Sequence, residues 1–159
     1  MSNQLEDLNR LSLFRFRDLF TSLEPPRREA LRGTFQGKFV GPGWLRRLGG
    51  PLLVITRMGD WRGKDFDSQG NAINLVWHRG QIVRRFPMNL LEQDSLIDHK
   101  PGLALSYAPT NPFPWPWIID ELRSIQPGIV LGMSIARFEL LQRLPLPFLL
   151  QSQEELHGL

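Results

Sequence analysis

The strongest constraint on the fold is a change of pattern at Gly33, where helical periodicity ends. From there, short runs rich in Val, Ile, Phe and Trp are separated by Gly, Pro, Asn and Asp, which is typical of antiparallel β-structure. Turn residues such as Pro127-Gly128 fit tight connections between neighbouring strands. The predicted strands are residues 34–40, 52–57, 63–67, 73–78, 81–88, 90–94, 103–108, 117–125, 129–138 and 147–152.

Residues 4–23 instead predict a helix, because Phe16, Leu19, Phe20 and Leu23 recur at helical spacing on one face. The helix should end before Pro25-Pro26. We therefore expect a mainly β protein, an antiparallel up-and-down β-barrel of roughly eight to ten strands with an N-terminal α-helix. A two-sheet sandwich is the alternative. The chain is predicted to be one domain, 1–159, with a helical segment at 1–31 and a barrel at 33–153.

The sequence contains no cysteine, which excludes disulfides, thiolate metal sites and cysteine nucleophiles. No basic stretch followed by an apolar one marks a signal peptide at the N-terminus. No run of about 18 apolar residues is present, so no transmembrane segment is predicted. These features favour a cytoplasmic location.

The net charge of +3 is distributed unevenly along the chain. Residues 1–64 hold twelve basic and six acidic residues, hence +6, and residues 65–159 hold seven and ten, hence −3. Basic runs are short and no nucleic-acid motif is present, so a nucleic-acid partner is not predicted. One hypothesis is an interaction protein with a basic aromatic surface at Trp44, Arg46 and Arg47.

The predicted strand 129–138 has one bulky and one small face. The bulky positions are Ile129, Leu131, Met133 and Ile135, and the small ones are Val130, Gly132, Ser134 and Ala136. Small residues that face into a small barrel leave a cavity. In that case the bulky face needs a cover, for which the N-terminal helix is a candidate.

The strand before it carries Asp120, Glu121 and Arg123 among apolar residues. Strand alternation puts Glu121 and Arg123 on one face and Asp120 on the other. Burying a charge pair is costly unless it is hydrogen-bonded. The pair is therefore either a polar anchor in an apolar pocket or an exposed salt bridge.

Catalytic and metal motifs are absent from the sequence. His78, His99 and His157 have no metal-ligand spacing, so no metal site is predicted. No nucleophile elbow or phosphate loop occurs, and the sequence leaves any cofactor unknown. An enzyme that uses Asp120 or Glu121 as a general base beside Arg123 remains an alternative.

We therefore predict a protein that binds a small hydrophobic or amphipathic molecule inside the barrel. The predicted ligand-binding residues are Glu121, Arg123, His78, Tyr107, Trp77, Trp117 and Met133.

Two short phrases resemble known families. Leu31-Arg-Gly-Thr-Phe-Gln-Gly37 resembles the L-x-G-x-W-x-G opening of small lipocalin-like (calycin) barrels, with Phe35 at the tryptophan position. Gly59-Asp-Trp-Arg-Gly-Lys-Asp-Phe66 is similar to the G-x-W-x-G-K-x-F phrase of an uncharacterised bacterial family named for its GXWXG motif. The resemblance implies a barrel that holds a small hydrophobic molecule, and it implies no catalytic residues.

Overall fold

The computed structural model describes residues 2–154, with side chains at 6–49, 51 and 56–154. The helices are α1 (Ser2–Arg10), α2 (Leu13–Ser22) and α3 (Gly43–Ile55). The strands are β1 (Gly33–Phe39), β2 (Asp60–Phe66), β3 (Asn71–His78), β4 (Gln81–Asp94), β5 (Pro101–Tyr107), β6 (Ile118–Gln126), β7 (Ile129–Ala136) and β8 (Leu146–Ser152). Single 3₁₀ turns occur at Arg28–Ala30, Trp115–Trp117 and Leu141–Arg143.

Within the described residues, the eight strands form a closed barrel in chain order. Each strand pairs antiparallel with the next, and β8 pairs with β1 to close the ring, as in Gly37 opposite Leu150. Closure leaves none of these eight described strands with an exposed edge that could pair with another chain. The predicted antiparallel up-and-down barrel is thus confirmed, and the sandwich alternative is not.

The predicted strand at 52–57 is wrong, because α3 runs through it as far as Ile55. Backbone amides of Leu45 and Arg46 bond the carbonyl of Pro42 at the start of this helix. A short apolar run alone cannot distinguish a buried strand from a helix.

The predicted strands 81–88 and 90–94 are one continuous strand, β4. The register with β3 shifts between Ile73 and Asn74, which face Pro87 and Arg85 respectively. The extra residue, Phe86, has a positive φ of 57°. This bulge accommodates Pro87, which has no backbone N–H to donate to a regular ladder of hydrogen bonds.

The predicted N-terminal helix is divided in two near Ser12, which caps α2 by accepting a hydrogen bond from the Arg15 amide at 3.3 Å. Phe16 and Phe20 of α2 are fully buried, packed with Leu131, Met133 and Leu149 on the outside of the barrel. Each buried phenylalanine contributes about 1.5–3 kcal/mol. Ile129, Leu131 and Met133 on the bulky face of β7 are therefore covered by α2, whereas Ile135 packs with Ala104 and Ile119.

The small face of β7 points into the barrel. Val130 belongs to the interior cluster with Phe35, Leu105 and Leu122, and Ser134 lines the interior cavity. Among the described residues, none of the helices is long and apolar enough to cross a membrane.

Candidate functional site

A cavity of about 370 Å³ lies inside the barrel, where it meets α3 and the connections that precede β6 and β8. Most of its wall is apolar. The lining residues from the barrel and the β1–β2 region are Phe39, Leu45, Gly49, Thr56, Met58, Trp61, Lys64, Asn74 and Tyr107. Those from the second half of the chain are Phe113, Pro114, Trp115, Ile118, Asp120, Ser134, Ala136, Phe138, Leu141, Leu146 and Phe148.

Four polar side chains from four different strands meet in the cavity wall. The ammonium of Lys64 (β2) lies 2.9 Å from Oδ2 of Asp120 (β6) and donates to Oδ1 of Asn74 (β3) at 2.9 Å. The amide nitrogen of Asn74 donates to the hydroxyl of Tyr107 (β5) at 3.2 Å, and that hydroxyl donates to Oδ2 of Asp120 at 3.4 Å. We call these four residues the interior polar cluster.

The interior polar cluster is buried and carries no net charge. The side chains of Lys64 and Asp120 are 2% and 3% exposed, and their opposite charges compensate each other. Burial, together with the nearby charge of Asp120, raises the pKa of Tyr107 well above its usual value of 10.0, so its hydroxyl stays neutral. The cluster thus presents polar atoms to an apolar cavity without an uncompensated charge.

Two glycines allow β1, β2 and the Trp61 ring to pack closely at the cavity. A Cβ on Gly37 would lie 2.4 Å from the Trp61 ring, and a Cβ on Gly63 would lie 2.0 Å from the Phe35 carbonyl oxygen. Gly63 also has a positive φ of 147°, beside a register shift between β2 and β3. Because Gly37 lacks a side chain, the indole can lie across β1 and donate to Oδ1 of Asn74 at 3.0 Å. Because Gly63 lacks one, β2 can approach the β1 backbone closely. These glycines belong to the two phrases noted in the sequence.

A second tryptophan forms the other wall of the cavity. The Trp115 ring lies 5.0 Å from Tyr107 and 5.4 Å from Phe86, measured between centroids. Its indole nitrogen donates to the carbonyl of Thr56 at 2.8 Å. Aromatic pairs at these distances favour a rigid apolar wall.

Glu121 and Arg123 lie on the opposite side of the barrel wall, Glu121 against the 95–100 loop and Arg123 against Phe20 of α2. Glu121 accepts hydrogen bonds from the Ser95 hydroxyl and, at 2.6 Å, from the Leu96 amide. Burial raises the pKa of Glu121, and these hydrogen bonds offset part of that increase. Each of the two residues has its own partner, so they do not form the pair that the sequence suggested.

Arg123 connects the 95–100 loop to the N-terminal helix. Its guanidinium contacts Asp98 at 3.2 Å and lies 4.7 Å from the Phe20 ring centroid, a cation–π distance. Burial opposes ionisation of Asp98, but the Lys100 amide and the charge of Arg123 outweigh it and lower the pKa of Asp98. These contacts attach α2 and the loop to β6.

Of the predicted ligand-binding residues, the structure puts Tyr107 at the cavity. Met133 is buried beneath α2 with Phe16 and Phe20. Trp77 and His78 are exposed at the end of β3. Trp117 is half exposed and stacks on Phe138 at 5.6 Å. His157 lies outside the described residues.

Lys64, Asn74 and Trp61 were not among the predicted site residues. A signal for two of them was present in the alternation. Lys64 shares a strand face with Phe66, and Asn74 lies between Ala72 and Val76 on a face that is otherwise apolar. A polar residue in the middle of an apolar strand face indicates a buried polar group with a partner.

The described residues include no group of three or more His, Cys, Asp or Glu side chains that could hold a metal ion.

Comparison with known proteins supports the fold. No family model matches the chain, and no curated protein matches it. A crystal structure of a protein from Thermomonospora curvata is similar to this chain, with a TM-score of 0.71 and 20% identity over 94% of this chain and 93% of that chain. At this identity the likeness extends to the barrel fold alone.

Proposed function

We propose that the protein binds a small, largely apolar molecule with an uncharged polar end, held in the barrel cavity. The observation that carries this proposal is an apolar cavity with a charge-compensated polar cluster in its wall. Such a combination is typical of small-molecule sites. The lipocalin-like resemblance of the first strand is consistent with a barrel of the calycin type.

The charge balance of the interior polar cluster favours a neutral ligand. Lys64 and Asp120 already compensate each other, so a carboxylate or ammonium group on the ligand would add an unpaired buried charge. The contacts from Lys64 and Tyr107 both end on Oδ2 of Asp120. We therefore assign Oδ1 as the acceptor for a ligand hydroxyl.

The size of the cavity favours a small ligand. Its volume of about 370 Å³ is near the lower end of the range for small-molecule sites, about 300–1,000 Å³. A single short chain or a small ring system fits this space better than a lipid with two long chains.

Titration with a matched ten-carbon series tests the proposal, using fluorescence from Trp61 and Trp115 in the cavity wall. We expect 1-decanol to bind at least about tenfold more tightly than decanoate or decylammonium, a difference of about 1.4 kcal/mol. Failure of all these compounds and of decane to bind would contradict ligand binding. Tighter binding of decanoate would contradict the neutral polar end.

A pair of variants at one position controls for the site. Ser134→Phe fills the cavity from β7 and is expected to abolish binding, whereas Ser134→Ala keeps the space and should retain it. Circular dichroism of both variants verifies that the barrel is folded. Decanol binding that survives in a folded Ser134→Phe protein would locate the ligand elsewhere.

An enzyme on the same barrel is the second candidate. It is favoured by the burial of Asp120 beside Lys64 and Tyr107 in a cavity, since clustered buried ionisable groups are common in active sites. In this hypothesis Asp120 is the general base. Lys64 supplies the positive charge beside it, the role predicted for Arg123 from the sequence. Mass spectrometry of a bound compound, recovered after incubation with the protein, tests this candidate by detecting chemical conversion of the compound. Conversion that persists in Asp120→Asn would refute this role.

A further inference from the structure

Three segments around the cavity carry a set of exposed apolar side chains that we call the mouth rim. The segments are α3, residues 111–117 and residues 137–145, and each also contributes cavity-lining residues such as Leu45, Trp115 and Leu141. The members of the mouth rim are Trp44, Leu48, Phe113, Trp117, Leu140, Leu141 and Leu144.

Exposed apolar surface is concentrated at the mouth rim. It contains seven of the twelve exposed large apolar side chains in the described part of the chain. Phe113 and Leu140 are 72% and 81% exposed, so these side chains do not support the core. Clusters of this kind mark sites that bind a membrane, another protein or a ligand.

Positive charge is also concentrated in the three segments that carry the mouth rim. Residues 43–57, 111–117 and 137–145 contain five arginines and one glutamate, a net charge of +4, whereas the whole chain carries +3. The rest of the protein is thus slightly acidic. The arginines are Arg46, Arg47, Arg57, Arg137 and Arg143, all exposed.

We propose that the mouth rim docks on the surface of an anionic lipid bilayer. The leucines and aromatic rings would enter the boundary between headgroups and acyl chains, and the arginines would contact lipid phosphates. This orientation turns the cavity toward the membrane. A small apolar molecule then moves between the bilayer and the barrel without crossing water.

The composition of the mouth rim favours a bilayer over single-stranded nucleic acid. Nucleic-acid grooves combine basic groups with aromatic rings on which bases stack. Four of the seven members of the mouth rim are leucines, which offer no stacking surface but insert readily among acyl chains. Docking does not require the proposed ligand, so the two proposals fail independently.

Flotation with phosphatidylcholine vesicles, with and without phosphatidylglycerol, tests the proposal. We expect the full chain to float with the anionic vesicles and to remain unbound with the neutral ones. The double variant Phe113→Ser/Leu140→Ser should lose most of this binding. Phe14→Ser is the matched control, because Phe14 is 81% exposed on α2, outside the mouth rim, and binding should be unchanged.

A charge variant tests the electrostatic part. Each arginine near an anionic surface contributes about a fivefold factor in affinity, so Arg47→Gln should weaken binding by about that factor. Arg32→Gln removes an exposed arginine outside the mouth rim and should have no such effect. High salt should weaken binding of the unmodified protein.

Three results would overturn the proposal. Undiminished flotation of the Phe113→Ser/Leu140→Ser variant would exclude the mouth rim as the docking surface. Loss of binding in Phe14→Ser instead would assign the contact to α2. Binding to a single-stranded oligonucleotide without binding to either vesicle would show that the partner is a nucleic acid.

Discussion

A double-mutant cycle on Lys64 and Asp120 tests the central structural claim about the cavity. The two side chains are 2% and 3% exposed, and their charged atoms are 2.9 Å apart. Removing one partner leaves a buried unpaired charge, which costs about 3–5 kcal/mol. Lys64→Met and Asp120→Leu should each reduce the free energy of unfolding by about that amount.

The double variant should lose far less free energy of unfolding than the two single variants lose together. Replacing both ions with apolar groups is often neutral, or even stabilising, by itself. The Asn74 carbonyl keeps its hydrogen bond from Trp61, but the Tyr107 hydroxyl loses its acceptor, which costs about 1–3 kcal/mol. The two single losses together amount to about 6–10 kcal/mol. The coupling energy should therefore be at least about 3 kcal/mol.

Urea denaturation at neutral pH, followed by tryptophan fluorescence and circular dichroism, measures these values. Unchanged m-values would show that the variants unfold from a similar structure. The reasoning is refuted if the single losses add to the double loss within about 0.5 kcal/mol. The double variant should also bind 1-decanol no more tightly than decane, since it lacks Oδ1 of Asp120, the acceptor assigned to the ligand hydroxyl.

Three further predictions concern other parts of the molecule. Gly132→Ala should lower the free energy of unfolding in urea by about 1–3 kcal/mol, because the new Cβ would lie 2.1 Å from the Phe148 ring, whereas Gly43→Ala, with its nearest atom 3.9 Å away, should not. Tyr107 is the single tyrosine in the chain, so absorbance at about 295 nm should show no tyrosinate near pH 10. The free energy of unfolding should fall at higher pH, because the unfolded state releases the proton that the folded state holds. The folded protein binds the Glu121 proton more tightly than the unfolded chain does. The stability of the protein relative to the Glu121→Gln variant should therefore fall as pH rises from 4.5 through the raised pKa. A protein that becomes more stable relative to Glu121→Gln over this range would contradict this.

The barrel could be predicted because its signals are local. Alternation within each strand and turn residues such as Pro127-Gly128 are visible over a few positions. They gave β3, β5, β6 and β7 to within about two residues, the usual uncertainty at element ends. Two of the errors also have local causes, since α3 ends in an apolar run and β4 contains a proline accommodated by a bulge at Phe86.

The site could not be predicted to the same extent, because it depends on closure of the barrel. The members of the interior polar cluster come from β2, β3, β5 and β6, and only strand register brings them together. Alternation correctly separated Asp120 from Glu121 and Arg123. It could not determine which of the two faces looks inward, because both contain apolar residues and both are buried.

The two faces of β7 bear on how the cavity of such a protein can change in the course of evolution. Its outward residues hold the N-terminal helix, while its inward residues, Ser134 and Ala136 among them, border the cavity. Substitutions on the inward side can therefore alter the shape of the chamber while leaving the buried helix contact intact. Ser134 and Ala136 are thus positions where the cavity can be reshaped without disturbing the helix, whereas Gly132 on the same side is constrained by the Phe148 ring.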